Sequence, residues 1–139
     1  MKFLGTGSAL PKKVVSNDDL AQVMDTSDEW IRSRTGIGMR HIAVEETTTS
    51  MAVEAAEKAL ADAKISGCEI DLIIAGTISP DYIFPSLACE VQAAIGAKSA
   101  TAFDLSAGCS GFLFALHTAH AYICAGIYKN VLLVGVEVL

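Results

Sequence analysis

A cysteine between two glycines is the residue of this sequence whose type and position most directly suggest chemistry. Cys109 lies in segment 104–112, Asp-Leu-Ser-Ala-Gly-Cys-Ser-Gly-Phe, where an apolar strand is expected to pass into a long apolar helix. A helix begins with unpaired backbone N–H groups and the positive end of its dipole, which favour a thiolate over a thiol. The same N–H groups can stabilise the oxyanion that forms when the thiolate attacks a carbonyl carbon. The pattern predicts a cysteine nucleophile, against the alternative of a buried structural thiol.

The three histidines do not supply an evident base for this thiol. His117 and His120 follow Cys109 on the same expected helix, where the helical rise places them roughly 12 and 16 Å along the axis. His41 lies in an expected loop, where a local polar or capping role is the simpler interpretation. Since a thiolate nucleophile usually works with a base, the sequence suggests that the base lies outside this chain.

Strands and helices that alternate along the chain are predicted to position Cys109. Apolar runs predict strands at 2–9, 71–78, 100–106 and 130–138. Capping residues and alanine-rich or apolar runs predict five helices. The first follows an Asn17 cap and runs to Met24, and the second follows Thr26 or Ser27 and ends near Gly36. The others lie at 51–64, at 87–95 after a Ser86 cap, and at 110–125. Nearly continuous apolar strands separated by helices are typical of a parallel sheet with right-handed crossovers. No linker or repeat divides residues 1–139, so we predict one α/β unit.

Composition excludes several functional classes. The net charge of −6 argues against general nucleic-acid binding. Residues 99–136 carry only two charges, but glycines and histidines interrupt them too often for a membrane span. They are better explained as a helix and a strand buried on every side. Because nothing follows the apolar strand 130–138 to cover it, we expect the chain to be part of a longer protein, or to fold against a partner.

Basic residues are concentrated near the start of the chain. Six of the ten lie within the first forty positions: Lys2, Lys12, Lys13, Arg32, Arg34 and Arg40. Such a region suits a phosphorylated ligand or an acidic partner, although a solvated surface of mixed charge remains an alternative. Neither Gly5-x-Gly7 nor Gly36-x-Gly38 completes the Gly-x-Gly-x-x-Gly pattern of dinucleotide-binding domains. The four cysteines lack metal-ligand spacing, and with no export signal we expect reduced thiols in the cytoplasm.

Several segments resemble those of the β-ketoacyl-[acyl carrier protein] synthase III family. They are Gly-Thr-Gly-Ser at 5–8 with Leu-Pro at 10–11, Asp-Thr-Ser-Asp-Glu-Trp-Ile at 25–31 with Arg-Thr-Gly-Ile at 34–37, Phe-Pro-Ser at 84–86, and Ala-Gly-Cys-Ser-Gly-Phe at 107–112. The resemblance is collinear from Met1 to Leu139. It implies a thiolase-like fold, of which this chain would be the N-terminal half, with a mostly parallel sheet and a buried central helix. It also implies a homodimer.

The resemblance implies an activity and a set of site residues. The family condenses an acyl-CoA, typically acetyl-CoA, with malonyl-[acyl carrier protein] and thereby initiates fatty acid biosynthesis. Cys109 matches the nucleophile, and Trp30 matches the aromatic residue that stacks on the adenine of CoA. Thr26 and Arg34 match neighbouring nucleotide contacts, and Phe84 matches a loop residue that lines the acyl pocket across the dimer interface. Without the resemblance, Trp30 would be interpreted as the core anchor of a short helix.

The same resemblance sets limits on this chain. The family's catalytic His and Asn lie in the second half, so we expect the isolated chain to be inactive in condensation. No metal or cofactor is expected, since the CoA thioester is a substrate, and neither nucleic acid nor a membrane is an expected partner. The alternatives are another thiolase-fold condensing enzyme, such as a hydroxymethylglutaryl-CoA synthase or a secondary-metabolite starter synthase, and a non-catalytic acyl-CoA-binding truncation product.

Overall fold

A computed structural model describes residues 1–139 as five strands and five helices. In chain order they are β1 (Lys13–Ser16), α1 (Asn17–Ala21), α2 (Asp28–Thr35), β2 (Met39–Ile42), α3 (Thr48–Ala63), β3 (Leu72–Gly76), α4 (Leu87–Ala94), β4 (Thr101–Leu105), α5 (Gly111–Cys124) and β5 (Val131–Gly135). Short 3₁₀ turns lie at Gly67–Glu69 and Gly108–Ser110. Residues 10–46 form one unit, and residues 1–9 with 47–139 form another.

The larger unit is built on a parallel sheet, which confirms the predicted α/β class. Its strand order is β4-β3-β5, and the central residue Ile74 lies opposite Phe103 on one side and Leu133 on the other. Every residue of β3 is buried, because strands flank both of its edges and helices cover both faces. Helices α3 and α4 pack on one face of the sheet and α5 packs on the other. The three apolar strands predicted in this region therefore pair as expected, each shorter at its ends.

Helix α5 is buried on one side only within this chain, whereas the sequence suggested burial on every side. Its buried residues are the small Gly111, Ala115 and Ala119, which let the helix lie close to the sheet. Phe112, Leu113 and Phe114 keep about half of their surface exposed. Within this chain that apolar side of α5 is therefore only partly covered. No helix of the structure is both long and apolar enough to cross a bilayer.

The first predicted strand is wrong. Residues 2–9 form no strand and lie against α3, where the Thr6 N–H donates to the Asp62 carboxylate at 2.9 Å. The Lys58 ammonium donates to the Ser8 carbonyl oxygen at 2.9 Å. A side chain at Gly7 would clash with the Ala55 carbonyl oxygen, so the two backbones are in close contact. Side chains of α3 thus satisfy backbone groups that a neighbouring strand would otherwise bond, and an apolar pattern cannot indicate which partner a segment finds.

The smaller unit contains two strands that the sequence did not indicate. Strands β1 and β2 pair antiparallel, with Val14 opposite His41. Each has four residues that are exposed or half-buried, and each carries a charged residue, so neither shows the apolar alternation that predicts a strand. The predicted Asn17 cap is also wrong, because Ser16 caps α1 and accepts the Asp19 N–H.

Glu46 ties the two ends of this smaller unit together. Its carboxylate accepts the Lys12 N–H at 3.0 Å and the Val44 N–H at 3.1 Å. Hydrogen bonds from the backbone of Lys12 and Val44 lower the pKa of Glu46 from 4.5 to about 2. A carboxylate whose pKa falls on folding stabilises the folded state above its unfolded pKa, and this contribution is lost as the pH falls through the folded pKa.

We predict that Glu46→Gln lowers the stability of residues 10–46 at pH 6 and that its effect disappears as the pH falls from 4.5 to about 2. Denaturant unfolding followed by the fluorescence of Trp30, the only tryptophan, measures this unit directly. Glu45→Gln is the control, because the Lys12 and Val44 N–H groups donate to the carboxylate of Glu46 and not to that of Glu45. Equal effects of Glu46→Gln at pH 6 and pH 2 would contradict the prediction.

Candidate functional site

Cys109 lies where the sequence places it, at the junction between β4 and α5. It is the middle residue of the 3₁₀ turn Gly108–Ser110, which leads directly into the first turn of α5. Gly108 has φ of +52°, a left-handed conformation that glycine adopts without strain. The thiol is free and exposed. The alternative of a buried structural thiol is therefore wrong for this chain.

Helix α5 differs from the other helices at its first turn. Side chains of Ser16, Ser27, Thr47 and Ser86 accept backbone N–H groups at the starts of α1, α2, α3 and α4. No side chain caps α5. Its first N–H groups are thus free of side-chain acceptors beside an exposed thiol, where they can stabilise a thiolate or the oxyanion of a thioester under attack.

The position of this turn is set by a close contact between two glycines. A Cβ atom built on Gly76, the last residue of β3, would lie 3.0 Å from the carbonyl carbon of Gly111 and 3.2 Å from the Phe112 nitrogen. These are backbone atoms of the start of α5. Glycine at position 76 therefore allows the central strand to contact the helix two residues after Cys109.

Phe84 is brought to the same edge of the sheet as Cys109. It lies in the loop between β3 and α4, and Cys109 follows β4, so both follow the carboxyl ends of adjacent parallel strands. This edge of a parallel sheet is where open α/β folds generally bind ligands. Phe84 is 89% exposed, so its ring takes no part in the core of this chain.

Trp30, Arg34 and Thr26 lie in the smaller unit. The Arg34 guanidinium carbon is 4.4 Å from the centre of the Trp30 ring, and the two residues are one turn apart on α2. Trp30 is 54% exposed, so the interpretation as a core anchor is wrong for this chain. Thr26 is half-buried and directly precedes Ser27, the residue that caps α2. One face of a short helix thus presents an indole and a guanidinium together, a combination suited to stacking with a nucleotide base.

Asn17 supports α2, and sequence reasoning missed this role. Its buried side-chain amide donates to the Asp28 carboxylate at 2.7 Å and to the Ile37 carbonyl oxygen at 2.8 Å, and its side-chain oxygen accepts from Arg40. Hydrogen bonds from Asn17 and Arg32 hold the pKa of Asp28 below its usual value. The sequence gives no signal for this network, because an asparagine at a helix start is typical of a cap.

Some basic residues of the predicted cationic region bind partners within the smaller unit. Arg32 pairs with Asp28 at 2.8 Å, and Arg40 donates to the Val15 carbonyl oxygen at 3.2 Å as well as to Asn17. The Arg34 guanidinium donates to the Trp30 carbonyl oxygen at 3.3 Å and lies over the exposed indole. The region is therefore in part a structural network and in part a surface suited to a ligand.

The histidines keep local roles. His41 Nδ1 lies 2.6 Å from the Pro11 carbonyl oxygen, in keeping with the local polar role expected from sequence. His120 contacts Cys124 Sγ at 3.5 Å near the end of α5 opposite to Cys109. No three His, Cys, Asp or Glu side chains are grouped so as to hold a metal ion.

Comparison with known proteins points to one group of condensing enzymes. A family model described as 3-oxoacyl-[acyl-carrier-protein] synthase III matches residues 103–139. The chain is 58% identical over 134 residues to β-ketoacyl-[acyl-carrier-protein] synthase III 1 of Bacillus anthracis, covering 96% of this chain and 43% of that protein. It is 52% identical over 139 residues to the synthase III of Clostridium acetobutylicum, covering 100% of this chain and 43% of that protein.

Solved structures agree with the sequence comparison. The crystal structure of 3-oxoacyl-[acyl-carrier-protein] synthase III from Aquifex aeolicus has a TM-score of 0.94 and 54% identity, covering 96% of this chain and 44% of that one. The priming β-ketosynthase of the R1128 polyketide pathway has a TM-score of 0.94 and 38% identity, covering 99% of this chain and 41% of that one. The chain thus spans less than half the length of the proteins it matches.

We predict that Gly76→Ala displaces the turn that carries Cys109. The added methyl group meets backbone atoms that cannot move aside independently, and such overpacking destabilises proteins by about 1–3 kcal/mol. Denaturant unfolding should show that loss, and the alkylation rate of Cys109 by iodoacetamide, followed by peptide mass spectrometry, should change with it.

Gly111→Ala is the matched control for Gly76→Ala. A Cβ atom on Gly111 would lie 3.6 Å from its nearest neighbour, the Gly76 Cα, which is an ordinary van der Waals contact. Stability and alkylation should therefore stay close to those of the unsubstituted chain. If the two variants behaved alike, the contact at Gly76 would not position the turn.

Proposed function

Because this chain belongs to the β-ketoacyl-[acyl-carrier-protein] synthase III family and spans its N-terminal part, we propose that the longer protein is an acyltransferase that initiates fatty acid biosynthesis. One observation carries the proposal: the exposed Cys109 thiol on a glycine-flanked turn at the uncapped start of α5. The substrates are an acyl-CoA, with acetyl as the expected group, and malonyl-[acyl carrier protein].

The first step is transfer of the acyl group to Cys109. The Cys109 thiolate attacks the thioester carbonyl carbon of acyl-CoA, and the N–H groups at the start of α5 stabilise the resulting oxyanion. A bond forms between the acyl carbon and Sγ, the bond to the CoA sulfur breaks, and CoA leaves as a thiolate that takes up a proton. The reaction needs no cofactor or metal ion, because the substrate is already activated as a thioester.

The second step requires residues beyond this chain. Malonyl-[acyl carrier protein] loses carbon dioxide, and the resulting carbanion attacks the acyl carbon, forming a C–C bond and releasing the Cys109 thiolate. In the family a His and an Asn of the second half stabilise the developing charge. Of the histidines of α5, His120 lies towards the helix end opposite to Cys109, which supports the inference that the isolated chain cannot condense.

CoA recognition is assigned to the exposed face of α2. Trp30 supplies a flat aromatic surface for the adenine, and Arg34, held over that ring, supplies a guanidinium for the phosphates. Thr26 lies just before the cap of the same helix and offers a hydroxyl. Phe84 would line the acyl pocket across the interface of a homodimer, for which its exposure in this chain leaves it available. We place the protein in the cytoplasm.

A second candidate is a starter condensing enzyme of secondary metabolism. The similarity to the priming β-ketosynthase of the R1128 pathway supports it, and Cys109 would do the same chemistry with a different primer. A hydroxymethylglutaryl-CoA synthase and a non-catalytic acyl-CoA-binding truncation product remain further alternatives. The Trp30 and Arg34 pair and the 58% identity to a synthase III favour the fatty acid enzyme.

The decisive experiment is intact-mass spectrometry of the full-length protein after brief incubation with acetyl-CoA. We expect one acetyl adduct, mapped by peptide analysis to Cys109, that is discharged when malonyl-[acyl carrier protein] is added. Cys109→Ser should carry no adduct. CoA binding without any adduct would favour the non-catalytic module, and an adduct on another cysteine would exclude the proposed mechanism.

We predict that Trp30→Ala weakens CoA binding about tenfold, because stacking of a base on an aromatic ring contributes about 1–3 kcal/mol. Calorimetric titration of the full-length protein with CoA measures the effect. Val23→Ala is the control, since Val23 is also an exposed apolar residue of the smaller unit but lies outside α2. If the two variants bound CoA with equal affinity, Trp30 would not be part of the nucleotide site.

A further inference from the structure

The loop between β3 and α4 combines a free apolar tip with two fixed ends. Residues 77–86 join the central strand to the helix. At the tip, Tyr82, Ile83 and Phe84 are 61%, 98% and 89% exposed. Exposed apolar side chains do not hold a loop in place, so its position must come from the polar contacts of its ends.

Glu137 holds the first end of the loop. It follows β5, on one side of the central strand, and its carboxylate accepts the Ile78 N–H at 3.0 Å. The Thr77 hydroxyl donates to it at 3.3 Å, and the Ser79 hydroxyl also donates to it. Three consecutive loop residues are thus bound to one carboxylate.

Asp104 holds the second end. It lies on β4, on the other side of the central strand, five positions before Cys109. Its two carboxylate oxygens accept the Leu87 and Ala88 N–H groups at the start of α4, each at 2.8 Å. Since Leu87 directly follows the loop, Asp104 connects the strand that leads to the nucleophile with the segment that carries Phe84.

Asp81 adds a contact within the loop itself. Its carboxylate accepts the Thr48 N–H at 3.1 Å and the Thr49 N–H at 2.8 Å at the start of α3. Burial alone would raise the pKa of Asp81, but hydrogen bonds from Thr49, Thr47 and Thr48 outweigh that effect and lower it. The contacts leave only the tip after Asp81 without a polar anchor.

We propose that Asp104 and Glu137 are positioning residues that fix the two ends of loop 77–86 and thereby set where Phe84 stands in the acyl pocket. This inference rests on the proposed function, and it assigns primer-size selection to two carboxylates that contact no substrate. A hydrophobic pocket discriminates a single methylene group by roughly 10- to 200-fold, so a small shift of one ring changes which acyl group fits.

The test is the primer preference of the full-length enzyme, measured as the ratio of kcat/KM for acetyl-CoA to that for hexanoyl-CoA. In the Asp104→Asn variant the new amide NH₂ group faces one of the two backbone N–H donors, so that hydrogen bond is lost. In the Glu137→Gln variant the new amide NH₂ group likewise faces donors at the start of the loop. Each substitution should change the ratio about fivefold or more, since the loop end it releases can move. In a Phe84→Ala background neither should change the ratio further, because both act through that ring.

Asp71→Asn is the matched control. Asp71 also accepts two backbone N–H groups, those of Lys129 and Asn130, each at 2.9 Å, but it precedes β3 and lies at the opposite edge of the sheet. Asp71→Asn should lower the melting temperature and leave the primer ratio unchanged. If the Asp104→Asn variant does not fold, the primer ratio of the Glu137→Gln variant tests the inference by itself.

The outcomes separate this inference from the function on which it rests. An enzyme without substitutions that forms no acyl adduct with any acyl-CoA overturns the proposed function and the inference together. An active enzyme whose folded Asp104 and Glu137 variants keep the primer ratio of Asp71→Asn overturns the inference alone. A changed ratio that persists in the Phe84→Ala background also overturns it, because the carboxylates would then act by another route.

Discussion

The contact between the end of the central strand and the start of α5 is the constraint on which the site depends. Glycine at position 76 allows its backbone to meet that of Gly111 at a distance that a side chain at position 76 would prevent. This contact fixes the first turn of α5 against the sheet and so fixes the turn that carries Cys109. The small buried residues Ala115 and Ala119 continue the close approach along the helix. A nucleophile at a helix start needs that start to keep a fixed position. Here the contact with the central strand of the sheet holds the first turn of α5 in place.

Carboxylates organise the same edge of the sheet. Asp81 and Asp104 accept the first N–H groups of α3 and α4. Glu137 accepts one N–H group and two hydroxyl groups at the start of the loop between β3 and α4. A carboxylate at a helix start satisfies unpaired donors and interacts favourably with the helix dipole. Helix α5 has no such side-chain partner. At this edge the starts of α3 and α4 therefore bind carboxylates of the protein itself. The start of α5 remains available for a thiolate and an oxyanion.

The apolar surface that this chain leaves exposed fits a protein of greater length. One side of α5 presents Phe112, Leu113 and Phe114, and the tip of loop 77–86 presents Ile83 and Phe84. Large exposed apolar patches of this kind normally mark surfaces that another part of a protein or a partner covers. The matched relatives are more than twice as long as this chain. The condensation proposed for Cys109 uses groups of such a further part, whereas the position of Cys109 is set by contacts within this chain.

The sequence determined the features that depend on neighbouring residues. The apolar runs predicted the three paired strands, Ser86 predicted the start of α4, and the glycines around Cys109 predicted a turn into α5. Contacts between residues far apart in sequence could not be read in this way. They place residues 2–9 on α3 rather than in a sheet, turn Asn17 inward, and bring Asp104 and Glu137 to the two ends of one loop. Side-chain type and local order set helices, strands and turns, but the partner of a hydrogen bond across the fold is decided only when packing brings the two groups together.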